Sequence, residues 1–268
     1  MRVAIIIVIL IASIVGLFFY IRHRLFLNKI KWHFEHNNVI IFGYKSTGKD
    51  VVTNWIINQR NEPYYANMSY TKDDKNFMPI EIKDLSLAPN TPHDFIEGKV
   101  YTMPHKLMER TNCYISDIQV HLPNYLDSKL YVKYPSLPIF YPLSSQLYDM
   151  NVIFNCQDIN RGWKALREQA DYFIWTKRTY KLFGWLFTRV YGYEKYETAQ
   201  RKLLPVKSRF FNKFSKAEVD IYNATNGEII TGFIVQNKRR IYYDTRHFEK
   251  LLLTGERIEN TAKRKSRR

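Results

Sequence analysis

The sequence predicts an α/β domain built on a mostly parallel sheet with flanking helices, preceded by an N-terminal transmembrane helix and followed by a small β-hairpin region. Three observations predict it. Short apolar runs recur at Val39–Phe42, Pro63–Asn67, Cys113–Asp117, Asn151–Cys156 and Tyr172–Trp175, with helical or looped stretches between them; that alternation belongs to parallel βαβ units. The first run breaks at Gly43 and leads through Gly48-Lys49 into a helical pattern. Ahead of all this, Val3–Ile21 is almost wholly apolar, about the length a helix needs to cross a bilayer.

The N-terminal run is read as a retained anchor. Only Arg2 precedes it, whereas Arg22, His23, Arg24, Lys29 and Lys31 follow. The larger positive cluster stays on the cytoplasmic side, so the N-terminus faces out and the body of the chain faces in. A cleaved signal peptide is the rival, but the apolar core is long and no small-x-small cleavage site follows it. Residues 25–36 then read as a polar and aromatic linker, and the domain proper starts near Asn37.

Residues Gly43-Tyr44-Lys45-Ser46-Thr47-Gly48-Lys49 have the G-x-x-x-x-G-K spacing of a phosphate-binding loop, or P-loop. Apolar strand, glycine turn and helix are the setting such a loop requires. Glycines let successive backbone N–H groups curl toward phosphate oxygens. The N-terminus of the following helix adds partial positive charge, and Lys49 adds a full one. Val51, Val52, Trp55 and Ile56 share one face of that helix, which runs unbroken to Arg60. Asp50 stands where a Ser or Thr would hold Mg²⁺; a carboxylate can ligate the same ion. ATP is therefore the expected cofactor, with Mg²⁺ beside it.

Further along, Ser69–Asp84 reads as a polar loop and Leu85–Gly98 as turns. The run Cys113–Ser116 ends in Asp117, as does a strand that holds magnesium-bound water beside a P-loop. Ile118 and Gln119 follow where a Glu would be usual, and Gln119 can orient a water without taking its proton. Pro123–Pro142 reads as a Tyr- and Pro-rich insertion, and Leu143–Asp149 as a short helix. Gln157 and Asp158 close the Asn151–Cys156 run; Gln157 either senses a terminal phosphate or caps its strand. Arg161, Arg167 and Arg178 follow, any of which could be presented to a neighbouring subunit. Tyr180–Tyr193 is too short to span a membrane, leaving a membrane-surface piece, a subunit contact or core. Ala217–Phe248 alternates and turns at Asn226-Gly227, a hairpin signal.

The formal charge is +16, and Lys177–Arg268 carries 22 of the 41 Lys and Arg but 9 of the 25 Asp and Glu. The last third is thus basic, suited to nucleic acid, anionic lipid or an acidic partner. Cys113 and Cys156 form no C-x-x-C and read as reduced core residues. The domains are then an anchor with its basic flank at 1–24, a linker at 25–36, a P-loop ATPase domain at 37–179, an aromatic and basic region with a hairpin at 180–255, and a basic tail at 256–268.

In this order, Gly43–Asp50, Asn67, Asp117, Gln157, Arg167 and Asp171, with Tyr243-Asp244-Thr245 near the end, resemble the motifs of the Zot-like (zonular occludens toxin domain) ATPases. That family includes the gene I-type morphogenesis proteins of filamentous phages and is related to the FtsK/HerA group of DNA-handling P-loop NTPases. The resemblance implies a membrane-anchored ATPase that assembles as a homo-oligomeric ring and drives assembly or extrusion of a single-stranded DNA phage through the host membrane. Its partners would be membrane lipid and phage coat protein or single-stranded DNA. It implies nucleotide held by Gly43, Gly48, Lys49 and Asp50, and metal-linked work by Asp117. The chain departs from the better-known members in placing its membrane helix before the ATPase domain. A DNA-packaging or DNA-translocating ATPase of the FtsK/HerA type is the alternative the resemblance leaves, and two other classes stay open on the residues alone: a non-hydrolysing membrane scaffold with a degenerate loop, and a small-molecule kinase.

Overall fold

The structure, a computed structural model, describes residues 2–68, 70, 76–85, 111–134, 136–147, 149–205 and 216–241. Most of the turn-rich Leu85–Gly98 stretch, the Tyr243-Asp244-Thr245 triplet and the basic tail 256–268 lie outside the described residues. The chain runs α1 (Arg2–His36), β1 (Val39–Phe42), α2 (Lys49–Arg60), β2 (Tyr64–Ala66), β3 (Phe77–Pro79), β4 (Asn112–Ile115), α3 (Ile118–His121), α4 (Asp127–Lys133), α5 (Leu137–Leu147), β5 (Val152–Cys156), α6 (Lys164–Arg167), β6 (Tyr172–Leu182), β7 (Trp185–Tyr193), α7 (Tyr196–Gln200), α8 (Lys216–Asn226) and β8 (Ile229–Asn237).

The described strands form one eight-stranded sheet in the order β3-β2-β4-β5-β1-β6-β7-β8. The neighbours from β3 to β6 pair in parallel, while β6, β7 and β8 pair antiparallel. β1 is central, and all four of its residues are buried. Ile40 and Phe42 face one core, with Phe154, Phe173, Tyr141 and Trp163. Val39 and Ile41 face the other, with Val52, Ile56, Ile30 and Phe34 from α2 and α1. A parallel strand covered on both faces must be apolar at consecutive positions, which is why Val39–Phe42 shows no polar alternation. The fold is that of a P-loop NTPase-like α/β domain, with strand ends and helix starts meeting above β1.

Several expectations change. Residues 25–36 are not a linker: α1 continues through them. The four-residue spacing of Phe26, Ile30 and Phe34 puts all three on one helical face, and all three are buried. The Phe26 ring lies over Gly232 of β8, where a Cβ would come within 2.5 Å of it. His33 stacks on Tyr172 at 3.5 Å between centroids. By contrast, Ile6–Ile21 is exposed along its whole length, and this helix is long and apolar enough to cross a membrane by length and composition.

The expected break at 179–180 falls inside β6. Tyr180–Tyr193 is the end of β6 and all of β7, turning at Phe183-Gly184, both with positive φ (46° and 77°), as a two-residue hairpin turn requires. Asn226-Gly227 is not a hairpin turn. It ends α8: Gly227 takes φ 72° and its N–H donates to the Asn223 carbonyl at 2.8 Å. Helix ends and tight hairpins ask for the same positive φ, so the dipeptide alone does not separate them. The polar stretch Ser69–Asp84 contributes the edge strand β3. Pro142 lies within α5 rather than ahead of a helix; Leu137, Phe140, Tyr141 and Ser144 are buried at helical spacing and carry the helix through it.

Candidate functional site

The loop between β1 and α2 is folded by its own residues and braced from one side. Ser46 and Gly48 take φ 64° and 101°, the left-handed turns that curl backbone N–H groups into a concave nest. Gly43 donates its N–H to the Cys156 carbonyl at 3.2 Å. A Cβ on Gly43 would lie 2.5 Å from the Thr176 carbonyl oxygen, and one on Gly48 would strike the Thr179 hydroxyl. Both glycines are therefore fixed by space. Thr47 closes a turn by donating its hydroxyl to the Tyr44 carbonyl at 2.8 Å.

The Lys49 ammonium is buried and donates to the Gly43 carbonyl at 2.9 Å and the Tyr44 carbonyl at 3.2 Å. It sits where a bound phosphate would compete for it. Lys45 and Ser46 are exposed on the loop, and Tyr44 is exposed with the Lys202 ammonium 4.8 Å from its ring centre.

Beside Lys49, the Asp50 carboxylate accepts from the Ser116 hydroxyl at 3.4 Å and the Asn155 amide at 3.5 Å. Burial pushes its pKa up, Lys49 pulls it down, and the Asp117 carboxylate pushes it up again. Ser116, which bonds Asp50, immediately precedes Asp117, so the two carboxylates lie at the same end of the sheet. Asp117 holds φ 48° and ψ 49° at the start of α3, and Gln119 donates from Nε2 to its Oδ1 at 2.9 Å. The Gln119 side-chain Oε1 accepts from the Gln157 backbone N–H at 3.2 Å, so Gln119 ties the tips of β4 and β5 together. Asn67 donates to the Ser116 carbonyl at 3.1 Å and accepts from its N–H at 2.8 Å, fixing the end of β2 to the turn that carries Asp117. These contacts suit a hard cation held by Asp50 and Asp117. Among the described residues no group of three or more His, Cys, Asp or Glu gathers, so phosphate and water would complete its shell.

Gly43–Asp50, Asp117, Gln119 and Gln157 are thus brought to one end of the sheet. Arg167 is not free there. It is buried, donates to the Ile159 carbonyl at 3.2 Å and the Asn160 side chain at 3.4 Å, and lies over the Tyr196 ring. In this position it braces its own chain; Arg161 and Arg178 are exposed. Asp171 lies at the opposite end of the sheet, accepting from the Asn38 N–H at 2.8 Å.

Sequence reasoning missed two sets of residues. Thr176, Thr179 and Thr188 line the β6–β7 side of the loop: Thr176 Oγ1 lies 2.8 Å from Thr47 Oγ1, and Thr179 donates to the Thr47 carbonyl at 2.8 Å and meets Thr188 Oγ1 at 2.9 Å. Thr53 and Asn155 exchange hydrogen bonds beneath Asp50. The one available signal was the run of threonines continuing the strand past Trp175.

The fold and loop together define a P-loop NTPase-like protein. In structure the chain is similar to the N-terminal domain of zonular occludens toxin from Neisseria meningitidis, with a TM-score of 0.40 and 9% identity over 79% of this chain and 97% of that one. It is also similar to the genome packaging NTPase B204 from Sulfolobus turreted icosahedral virus 2 in complex with ATP-gammaS, with a TM-score of 0.36 and 12% identity over 78% of this chain and 96% of that one. No family model matches the chain, and no curated protein does.

Proposed function

We propose that the chain is a membrane-anchored, Mg²⁺-dependent ATPase motor for assembly and extrusion of a filamentous, single-stranded DNA phage, acting as a homo-oligomeric ring on the cytoplasmic face of the host membrane. One observation carries the nucleotide part of this reading. The Lys49 ammonium is buried and donates to the Gly43 and Tyr44 carbonyls of the loop it would share with phosphate, with the Asp50 carboxylate close enough to feel its charge. Loop N–H groups and the α2 N-terminus bind the phosphates. Lys49 leaves its carbonyls and neutralises the charge that builds on the transferred group. Asp50 and Asp117 would hold Mg²⁺, whose charge would neutralise phosphate oxygens. Gln119, already fixed on Asp117, orients the attacking water. The phage cargo, coat protein or single-stranded DNA, is what the resemblance to the Zot-like ATPases implies, and the basic last third suits a phosphate backbone contacted without sequence readout.

A second reading is favoured by Asp50: a half-buried carboxylate beside the loop repels phosphate unless a cation accompanies it, and no Glu follows Asp117. On that reading the chain is a scaffold that binds nucleotide without turning it over.

The test is phosphate release by the full chain in lipid nanodiscs with Mg-ATP. Lys49→Ala lowers the rate by ~10²-fold, as loss of a preorganised charge donor does. Equal rates for the two proteins would refute the motor. Binding without release in the wild type would establish the scaffold.

A further inference from the structure

We propose that the face of the β6–β7–β8 sheet carrying Arg178, Tyr180, Arg189 and Phe233 is a docking surface for single-stranded nucleic acid. The strand lays its phosphates on the cations there and its bases on the rings between them. This deepens the cargo part of the reading above and rests on it.

The register sets the face. Arg178 of β6 pairs with Arg189 of β7, and Arg189 with Phe233 of β8. Cross-strand partners share one side of a sheet, as do residues two apart on a strand, so Tyr180 and Tyr191 join them. The β6 register shifts between Thr176 and Arg178. That bulge adds Lys177, whose ammonium lies 5.7 Å from the Trp175 ring centre and 6.0 Å from that of Tyr191. Arg178 lies over Tyr180, and Arg189 over both Tyr191 and Phe233. The Tyr180 and Phe233 ring centres are 6.4 Å apart. Lys202 joins Trp175 to Tyr44 of the phosphate loop, at 5.9 Å and 4.8 Å from the two rings. Cations and rings thus alternate from the loop out along the hairpin.

Charge says what the surface receives. Residues 172–193 and 229–241 contain Lys and Arg but no Asp or Glu. Like charges directly opposite on two strands destabilise the pair, and among the described residues no salt bridge relieves Arg178 or Arg189. A phosphate between them does. The rings say which phosphate. Tyr180 and Phe233 are exposed, as are Lys177 and Arg178. Ring faces set among cations match a ligand that carries flat bases as well as phosphates. A lipid headgroup brings phosphate without a flat ring, and a duplex keeps its bases stacked inside. A single strand offers both, and this face reads no sequence in it.

The experiment measures binding of a fluorescent oligo(dT) strand to the full chain in nanodiscs of zwitterionic lipid, across a salt series. The wild type binds the strand more tightly than the same strand paired with oligo(dA). Tyr180→Ala weakens strand binding ~10-fold, as loss of one base stack does, and Tyr180→Phe, which keeps the ring, binds as the wild type. Removing two cations, Lys177→Ala with Arg178→Ala, lowers the slope of log affinity against log salt by ~1.4. The same loss of charge on α4, Lys129→Ala with Lys133→Ala, leaves the slope unchanged. The ring and cation variants are separate proteins, so either decides if the other fails to fold. Wild-type strand binding in both, tighter binding of the duplex, or no binding by the wild type overturns the proposal. A changed oligomer size in these variants, with strand binding intact, overturns it in favour of a second copy of the chain on this face. Phosphate release by the wild type and Lys49→Ala, measured in parallel, decides the motor whatever the strand does, so the two readings fail separately.

Discussion

The two flanks of β1 are built from different chemistry. Toward β5 and β4 the strands are parallel, and their tips carry Asp117, Gln119, Asn155 and Gln157, beside Asp50 at the start of α2. Toward β6, β7 and β8 the sheet turns antiparallel, and what meets the loop is hydroxyl: Thr176, Thr179 and Thr188. One flank gathers carboxylate and amide groups where cation and terminal phosphate would sit. The other holds the loop in shape with neutral groups that repel no phosphate. The difference teaches why a long hairpin continues the sheet past the loop. β1 ends at Phe42, level with Trp175, but β6 runs on to Leu182 and β7 returns from Trp185, giving the loop a wall that a short parallel strand lacks.

The largest way to break this comparison is to strip the cover from the antiparallel flank. Deleting residues 1–24 leaves a folded domain, whereas deleting 1–36 removes Phe26, Ile30 and Phe34 from the core, at about 1.5–3 kcal/mol each. Circular dichroism and size exclusion of the two truncations check this: a cooperative melt for the first, and an aggregated or unfolded product for the second. Gly48→Ala comes next. Its Cβ meets the Thr179 hydroxyl and lies 2.8 Å from that of Thr188, at φ 101°. The expected cost is about 1–3 kcal/mol in stability, with nucleotide binding lost in calorimetry. Thr188→Val then removes the far end of the hydroxyl relay. It costs about 1 kcal/mol and raises the KM for ATP, with kcat held within a factor of two, because the loop loosens while the carboxylate flank is untouched.

The smallest effect is on the acid flank itself. Burial raises the pKa of Asp50 above its ordinary 3.8. Between those two values the folded protein binds the extra proton, so stability falls as pH climbs through that window. Asp50→Asn therefore raises Tm at neutral pH by a few degrees, and the gain shrinks as pH drops toward 4. A melting series across pH reads it directly. An unchanged Tm at pH 7 would mean that Lys49 already offsets the burial.

The carboxylate flank was more legible in the sequence than the hydroxyl flank. Gly43, Gly48 and Lys49 are separated by a fixed spacing, because backbone curvature and a lysine's reach are local geometry. Asp117 ends an apolar run, and a strand tip is a local feature too. Arg167 lies at a place in the order of motifs that suggests chemistry, yet it spends its hydrogen bonds on Ile159 and Asn160; nothing in the spacing distinguishes an arginine aimed at a neighbour from one folded back on its own turn. The threonines were not legible, since Thr47 and Thr176 are 129 residues apart and meet only because β6 pairs with β1. The same holds for residues 25–36, where Phe26, Ile30 and Phe34 find a face that exists only once β8 is in place.

By itself the sequence determined the strand and helix of the P-loop, the parallel α/β class and the apolar N-terminal helix, because each follows from the order of residues over a dozen positions or fewer, or from one long apolar run. The tertiary structure decided that Asp50 and Asp117 lie at the same end of the sheet, that the threonines brace the loop, and that Arg178 faces Arg189 across β6 and β7. Those facts depend on which strands become neighbours, and strand order is settled by how the two apolar faces of the whole sheet are covered.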